Sequence, residues 1–217
     1  LTFLGSAVFI IAIMLILEIL DRSLKDKFKA EYITKGAVLA AFPANSKFKY
    51  RMYNRQSEDA AIQYLANGIM NNIHRDNAKR PLLINFLSSF SGEGKRYLTE
   101  KLIVYWEASG LQIKRLVFGD DFLPDSKEYV FAEINKLFDP ELAKSPIPEA
   151  FLKASSLNLF FVNAERVWSD ADQVLLDNIT RNFGKPNTML VLTNAERDAV
   201  ETFTGMLPPH TFWRKIK

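Results

Sequence analysis

The chain opens on an uninterrupted apolar run, Leu1 to Leu17 (LTFLGSAVFIIAIMLIL), without a charge. At ~1.5 Å per residue, a helix of that length covers roughly 25 Å, nearly the hydrocarbon core of a bilayer. It is apolar on every face, so it lacks the polar stripe of a helix packed on a soluble core. Glu18 and the pair Asp21-Arg22 end the run, and Lys25, Lys27 and Lys29 follow. A signal peptide carries its positive charges before the apolar stretch, not after it. Basic residues just past a span favour the cytoplasmic side. The pattern predicts a transmembrane helix over residues 1–20, with everything after Asp21 cytoplasmic. Because the chain begins inside the run, it reads as a piece of a longer protein.

Beyond the run, residues 21–56 read as a basic juxtamembrane linker, with Lys47, Lys49 and Arg51 clustered after Pro43. Such charges are either simply solvated or touch anionic lipid headgroups, at about 1 kcal/mol per basic residue near the surface. Ala37–Phe42 (AVLAAF) inside it is a short apolar run suited to a strand. From Ser57 the period changes: Ala61, Leu65, Ile69 and Ile73 fall four apart, predicting a helix with Ser57 as its cap. Leu82–Leu87 (LLINFL) is a nearly continuous apolar run, typical of a strand covered on both faces. The same reading predicts helices over Tyr97–Ser109, Ser126–Phe138, Pro148–Ala154, Ser169–Phe183 and Ala195–Met206. It predicts further strands over Ile113–Phe118, Leu157–Val162 and Met189–Leu192. Apolar runs alternating with amphipathic helices imply βαβ units, hence a parallel sheet with helices on both faces. Ligands of such folds bind beyond the carboxyl ends of the strands.

Composition narrows the classes without naming one. With 48% hydrophobic and 24% charged residues, the 217-residue chain is ordinary globular material plus one apolar segment. A net charge of +3 is too small to argue for nucleic acid, and none is expected as a partner. The absence of cysteine excludes disulfides, thiol catalysis and thiolate metal sites. His74 and His210 are too far apart in sequence to suggest a His-rich metal site.

The chemistry concentrates in Ser88–Arg96 (SSFSGEGKR), between the first strong strand and its helix. A glycine-rich turn opening a helix aims successive backbone N–H groups at one anion, helped by the helix dipole. Gly92 and Gly94 supply the curvature, and Lys95 reaches terminal phosphates. The strand–loop–helix context makes Ser91, Gly92, Glu93, Gly94, Lys95 and Arg96 the candidate nucleotide-binding residues. Read this way, the fold class is α/β: a P-loop-type, doubly wound, mostly parallel sheet with helices on both faces, preceded by one transmembrane helix. A working loop, however, closes with Gly-Lys followed by Ser or Thr, whose hydroxyl ligates magnesium. Here Arg96 stands at that place and offers no oxygen.

The order of elements and the SSxSGEGK loop resemble the cytoplasmic domain of the bacterial tyrosine kinases of polysaccharide export, MinD/ParA-like P-loop ATPases that act as polysaccharide co-polymerases. The resemblance spans essentially the whole chain. It implies that Leu1–Leu17 is the second membrane helix of a longer protein and that residues 57–217 form the kinase-like domain. It also implies homo-oligomers, a lipid bilayer and the polysaccharide export machinery as partners, at the bacterial inner membrane. The family's loop reads close to SSxPGEGKS, so Ser91 replaces its proline and Arg96 its metal-binding serine. Its second motif carries two aspartates after a strand, where this chain has Gly119 and, after Asp120, Asp121. Its third motif ends a strand on an aspartate, where this chain has Asn163; the downstream Asp170-Ala171 pair is kept. Tyr64–Ile73 lacks the two arginines of the family's assembly helix, and no tyrosine cluster stands before Lys217.

Each departure removes something that phosphoryl transfer uses. The loop hydroxyl and acidic groups around it hold magnesium, which neutralises charge growing on the phosphates. Arg96 takes away a ligand and adds a fixed positive charge, Asn163 lacks the carboxylate, and Gly119 removes one candidate base. The expected function is therefore a pseudo-kinase domain that scaffolds chain-length control and export of exopolysaccharide, capsule or O-antigen. No catalytic residue is expected to be competent at Arg96, Gly119, Asp121 or Asn163. No metal and no cofactor are expected, ATP or ADP being admissible with weak or no magnesium dependence. Each change also has a structural reading: Arg96 pointing to solvent, Asp120 and Asp121 capping a turn, Asn163 as an ordinary strand end. Two rival functions remain, an active atypical tyrosine autokinase or ATPase of the same family using Lys95 and Asp121, and an unrelated membrane-tethered adaptor.

Overall fold

A computed structural model describes residues 2–44, 51–74, 82–117, 129–133, 155–182 and 188–207. Helix α1 (Thr2–Leu20) and helix α2 (Lys27–Thr34) lead into strand β1 (Val38–Pro43) and the long helix α3 (Arg51–His74). Then come β2 (Leu82–Ser88), α4 (Lys95–Ala108), β3 (Ile113–Val117), β4 (Tyr129–Glu133) and β5 (Leu157–Asn163). Helix α5 (Asp170–Asn182), strand β6 (Thr188–Ala195) and helix α6 (Arg197–Thr204) complete the described chain. The six strands form one sheet in the order β1-β6-β5-β2-β4-β3, and every neighbouring pair is parallel.

The central strands are buried on both faces because helices cover both. All seven residues of β2 are buried, and in β5 only Asn163, at the carboxyl end, is not. That is why Leu82–Leu87 and Leu157–Val162 read as unbroken apolar runs. Helix α3 presents Ala61, Ile62, Leu65, Ala66, Ile69 and Ile73 to the core, an i, i+3/i+4 stripe. It approaches β1 closely enough that a Cβ on Gly68 would stand 3.0 Å from Leu39 Cδ1. Leu98, Leu102 and Trp106 bury the matching face of α4. One polar pair crosses the apolar centre: Asn85 Nδ2 on β2 donates to Asn158 Oδ1 on β5 at 2.9 Å.

Two sequence expectations need correction or extension. The segment Ser126–Phe138, expected as a helix, carries the strand β4 over Tyr129–Glu133, inserted between β2 and β3. Aromatic and β-branched residues, Tyr129, Val130 and Phe131, suit a pleated position better than a helix, and the gap in the sheet overrides the weak 3.6 period. The stretch read as a basic connector is folded through Ala44: it contains α2 and β1, and β1 pairs with β6 along the sheet. Lys47, Lys49 and the helix expected over Pro148–Ala154 lie outside the described residues.

Helix α1 is continuous over 19 residues, with Val8, Phe9, Ile10, Ile11, Met14 and Leu15 all exposed. Among the described residues, side chains included, no helix is long and apolar enough to cross a membrane. Its exit is fixed to the domain. Ser23 pairs with Val167, the Leu24 N–H donates to the Ala164 carbonyl at 3.1 Å, and the Trp168 N–H donates to the Arg22 carbonyl at 3.1 Å. Leu24 itself is fully buried.

Candidate phosphate-loop site

The loop from Ser89 to Gly94 leaves the carboxyl end of β2, whose neighbours are β5 and β4, and opens α4. Gly92 and Gly94 take φ of 91° and 76°, in the left-handed region where a side chain is strained. Gly94 is the N-cap of α4, so no side-chain acceptor covers the first turn. That leaves the turn suited to an external anion at the positive end of the helix dipole. Lys95 is the first helical residue and only 4% exposed. A cleft of about 500 Å³ lies over the loop, lined by Ser88, Phe90, Ser91, Gly92, Glu93, Gly94, Lys95, Arg96, Tyr97 and Glu100. A second cleft of about 360 Å³ shares Gly92, Gly94 and Tyr97 and reaches Asn163, Thr193 and Asn194.

The sequence-derived residues do different things in this geometry. Arg96 points to the rim: its side chain is 77% exposed and Nε stands 3.1 Å from Glu100 Oε1, one helical turn on. An exposed i, i+4 pair contributes only about 0.3–0.5 kcal/mol, so Arg96 is held weakly. Asn163 ends β5 with its Oδ1 accepting from the Glu165 N–H at 3.0 Å, a local turn bond. Gly119, Asp120 and Asp121 lie outside the described residues. Among the described residues, no group of three His, Cys, Asp or Glu side chains gathers to hold a metal ion.

Glu93, named from the sequence as a candidate nucleotide-binding residue, is engaged within the protein. It is 4% exposed, its Oε2 accepting from the Asn163 N–H and its Oε1 paired with Arg166 Nε at 2.9 Å. That last contact is an ion pair with poor hydrogen-bond alignment. The Glu93 carbonyl also accepts from Thr193 Oγ1 at 2.8 Å. Arg166 forks onto Asp172, Nη1 to Oδ2 at 2.6 Å and Nη2 to Oδ1 at 3.0 Å, and its guanidinium lies 4.7 Å from the Phe90 ring centroid. Asp172 is fully buried and shares its Oδ2 with the Ser169 N–H (2.9 Å) and hydroxyl (2.6 Å). The result is a buried acid–guanidinium–acid chain tying the loop after β2 to the turn after β5 and to the first turn of α5.

The two acids move oppositely. Burial pushes the Glu93 carboxyl above its ordinary value, against the pull of Arg166 and the Asn163 N–H. Burial also pushes at Asp172, but hydrogen bonds from Arg166 and Ser169 outweigh it and hold that carboxyl below the ordinary range. Arg166 is kept charged, its burial offset by both carboxylates.

Sequence reasoning missed Arg166, Asp172 and Thr193. Ser169 and Asp172 form a capping box that the spacing Ser-x-x-Asp signals. Nothing local pairs Arg166 with Glu93, 73 positions earlier.

No family model matches the chain, and no curated protein does either. Solved structures match by shape. The kinase domain of Escherichia coli tyrosine kinase ETK aligns with a TM-score of 0.55 at 10% identity, covering 79% of this chain and 94% of that one. The chimerical protein CapA2B2 aligns at 0.53 and 14%, covering 79% of this chain and all of that one. The fold of this chain is thus that of a bacterial tyrosine kinase domain.

Proposed function

We propose that this chain is the membrane-anchored cytoplasmic part of a polysaccharide co-polymerase-like protein, whose kinase-like domain has exchanged catalysis for scaffolding. The observation that carries this is the fate of the loop. Gly92 and Gly94 curve the backbone into the start of α4, a frame suited to an anion, while the place of the metal-binding hydroxyl holds Arg96, an exposed side chain engaged with Glu100. The only acid within the loop, Glu93, is committed to Arg166 and the Asn163 N–H. Arg96 points to solvent at the rim, so what the loop lacks at this place is an oxygen ligand for magnesium beside a triphosphate. Asn163, with its side chain in a local turn, adds no negative charge to orient metal-bound water.

The anchoring half of the reading rests on the uncharged sequence Leu1–Leu17 and on α1, and not on a membrane-long apolar helix among the described residues. Nineteen helical residues span about 28 Å, close to the bilayer core, and the described side chains at residues 8–16 are apolar on every face. Lys25, Lys27 and Lys29 follow its exit, which favours a cytoplasmic domain at the inner membrane. Scaffolding means contacts with copies of the same chain and with the export machinery.

Calorimetry of the full chain in detergent with ATP, with and without magnesium, tests the site. We expect no gain in affinity on adding magnesium, and no phosphotyrosine on prolonged incubation. Saturable magnesium-dependent binding followed by phosphotyrosine formation would return the protein to the active kinases.

A further inference from the structure

Helix α2 carries a face that neither the core nor the phosphate loop uses. Its inner side is anchored: Ala30 and Thr34 are buried, the Thr34 carbonyl accepts from Gln173 Nε2 at 3.2 Å, and Lys27 stands 5.2 Å from the Phe203 ring centroid. Its outer side reads Phe28 and Tyr32, both exposed, flanked by exposed Lys35 at the C-cap and by exposed Lys25 before the N-cap, whose Nζ stands 3.3 Å from Asp21 Oδ2. Phe28 and Tyr32, four residues apart within the helix, share one face. Phe28 is 74% exposed and Tyr32 86%. Two aromatic rings one turn apart, bracketed by lysines, form an apolar body with polar ends, the pattern that settles at a membrane–water boundary.

The chain's own continuity names the occupant. Six residues, 21–26, separate α1 from α2, so the two helices are at most about 25 Å apart along the chain. Those residues are pinned by the Ser23–Val167 bridge and by buried Leu24, so α2 stays near the point where α1 leaves the domain. Five basic residues stand against three acidic ones between Asp21 and Lys35, which suits an anionic surface.

We propose that the outer face of α2 lies in the headgroup layer of an anionic bilayer, with Phe28 and Tyr32 directed toward the acyl boundary and Lys25 and Lys35 on headgroup phosphates. The inference rests on α1 being the membrane anchor, and it adds a second, in-plane attachment. An anchor at one point leaves the domain free to rotate; a second contact fixes which side of the sheet faces the lipid.

The chain has no cysteine, so single labels are unambiguous. Nitroxide labels at Phe28→Cys, Tyr32→Cys, Ile10→Cys and Glu107→Cys are read in the full chain reconstituted into vesicles of phosphatidylcholine with phosphatidylserine. Collision with oxygen and with a water-soluble nickel complex gives the depth of each. We expect Ile10 deep in the hydrocarbon, Glu107 in water, and Phe28 and Tyr32 roughly 5–10 Å into the headgroup and acyl boundary, with nickel collisions severalfold below those at Glu107. Phe28 and Tyr32 as water-accessible as Glu107, with Ile10 deep, would overturn this inference and leave the anchor standing. Protection of both from oxygen and nickel alike would also overturn it, since a protein partner, such as a second copy, would then cover α2. Ile10 in water would sink the anchor reading itself. Equal depth in vesicles of phosphatidylcholine alone would overturn the assignment of an anionic surface.

Discussion

Replacing Arg166 by Ala strikes the buried chain at its middle. It leaves Glu93 and Asp172, 4% and 0% exposed, facing each other's neighbourhood without the cation between them. Breaking a buried ion pair by removing one partner costs about 3–5 kcal/mol. The figure comes down here, because the Arg166 side chain is 23% exposed and Asp172 keeps its two bonds from Ser169. We expect a loss of about 2–3 kcal/mol at pH 8, and hence a fall in Tm of roughly 5–10 °C for a chain of this size. The assay is urea unfolding of the full chain in detergent, followed by tryptophan fluorescence, one of whose three sources is buried Trp168, two residues from Arg166. Lowering the pH to 5 should recover part of the loss, since protonation relieves the stranded carboxylates. Arg166→Lys should fall between wild type and Ala, as one ammonium cannot fork onto Asp172 while reaching Glu93. A loss below about 0.5 kcal/mol, the scale of a solvated surface pair, with no difference between pH 8 and pH 5, would refute the claim that this triad holds the loop.

Three further outcomes follow from the same contacts. Gly94→Ala forces a side chain into φ 76° with its Cβ 3.4 Å from Thr193, so we expect about 1–2 kcal/mol of destabilisation by thermal unfolding. Leu24→Ala removes a fully buried side chain at the α1 exit and should cost about 2–5 kcal/mol, with faster hydrogen exchange in the turn at residues 164–168 as the local readout. Glu93 holds its proton more tightly folded than unfolded, so its contribution to stability falls as pH rises from the ordinary 4.5 through its raised value. Asp172 has the opposite sign, its contribution being lost as pH falls through and below 3.8. Glu93→Gln should therefore flatten the decline above pH 4.5 in chemical denaturation at stepped pH, and a slope unchanged from wild type would remove Glu93 as its source.

The exit of α1 and the phosphate loop are neighbours through a single turn. Residues 164–168 bond to Arg22 and Leu24 on one side and, through Arg166, to Glu93 on the other. One element therefore holds both the direction in which α1 leaves the domain and the shape of the loop.

Periodicity and glycine placement were enough for much of the fold. Strands buried on both faces must be apolar throughout, so β2, β5 and β6 announced themselves, and Gly92 and Gly94 marked a turn that only glycine makes without strain. The loop itself was legible because strand, loop and helix are contiguous, but the burial of Lys95 was not, and the sequence left the direction of Arg96 open until the structure turned it to solvent. Strand β4 was not, since five residues with aromatic and β-branched side chains fit either period until the sheet offers a gap between β2 and β3. Helix α2 was hidden by lysines that read as a linker.

What the sequence by itself determined is therefore what depends on near neighbours: the apolar helix, the βαβ rhythm, the bend of the glycine loop and the Arg that follows Lys95 where a hydroxyl residue would close a phosphate loop. What only the tertiary structure decided is who meets whom across distance. The turn after β5 delivers Arg166 and the Asn163 N–H to Glu93, which the sequence offered as a nucleotide-binding residue, and α5 delivers Asp172 to Arg166, for which the sequence signalled no role. Charges buried together are stable only as a set, and the set is assembled by strand order, which no local pattern encodes.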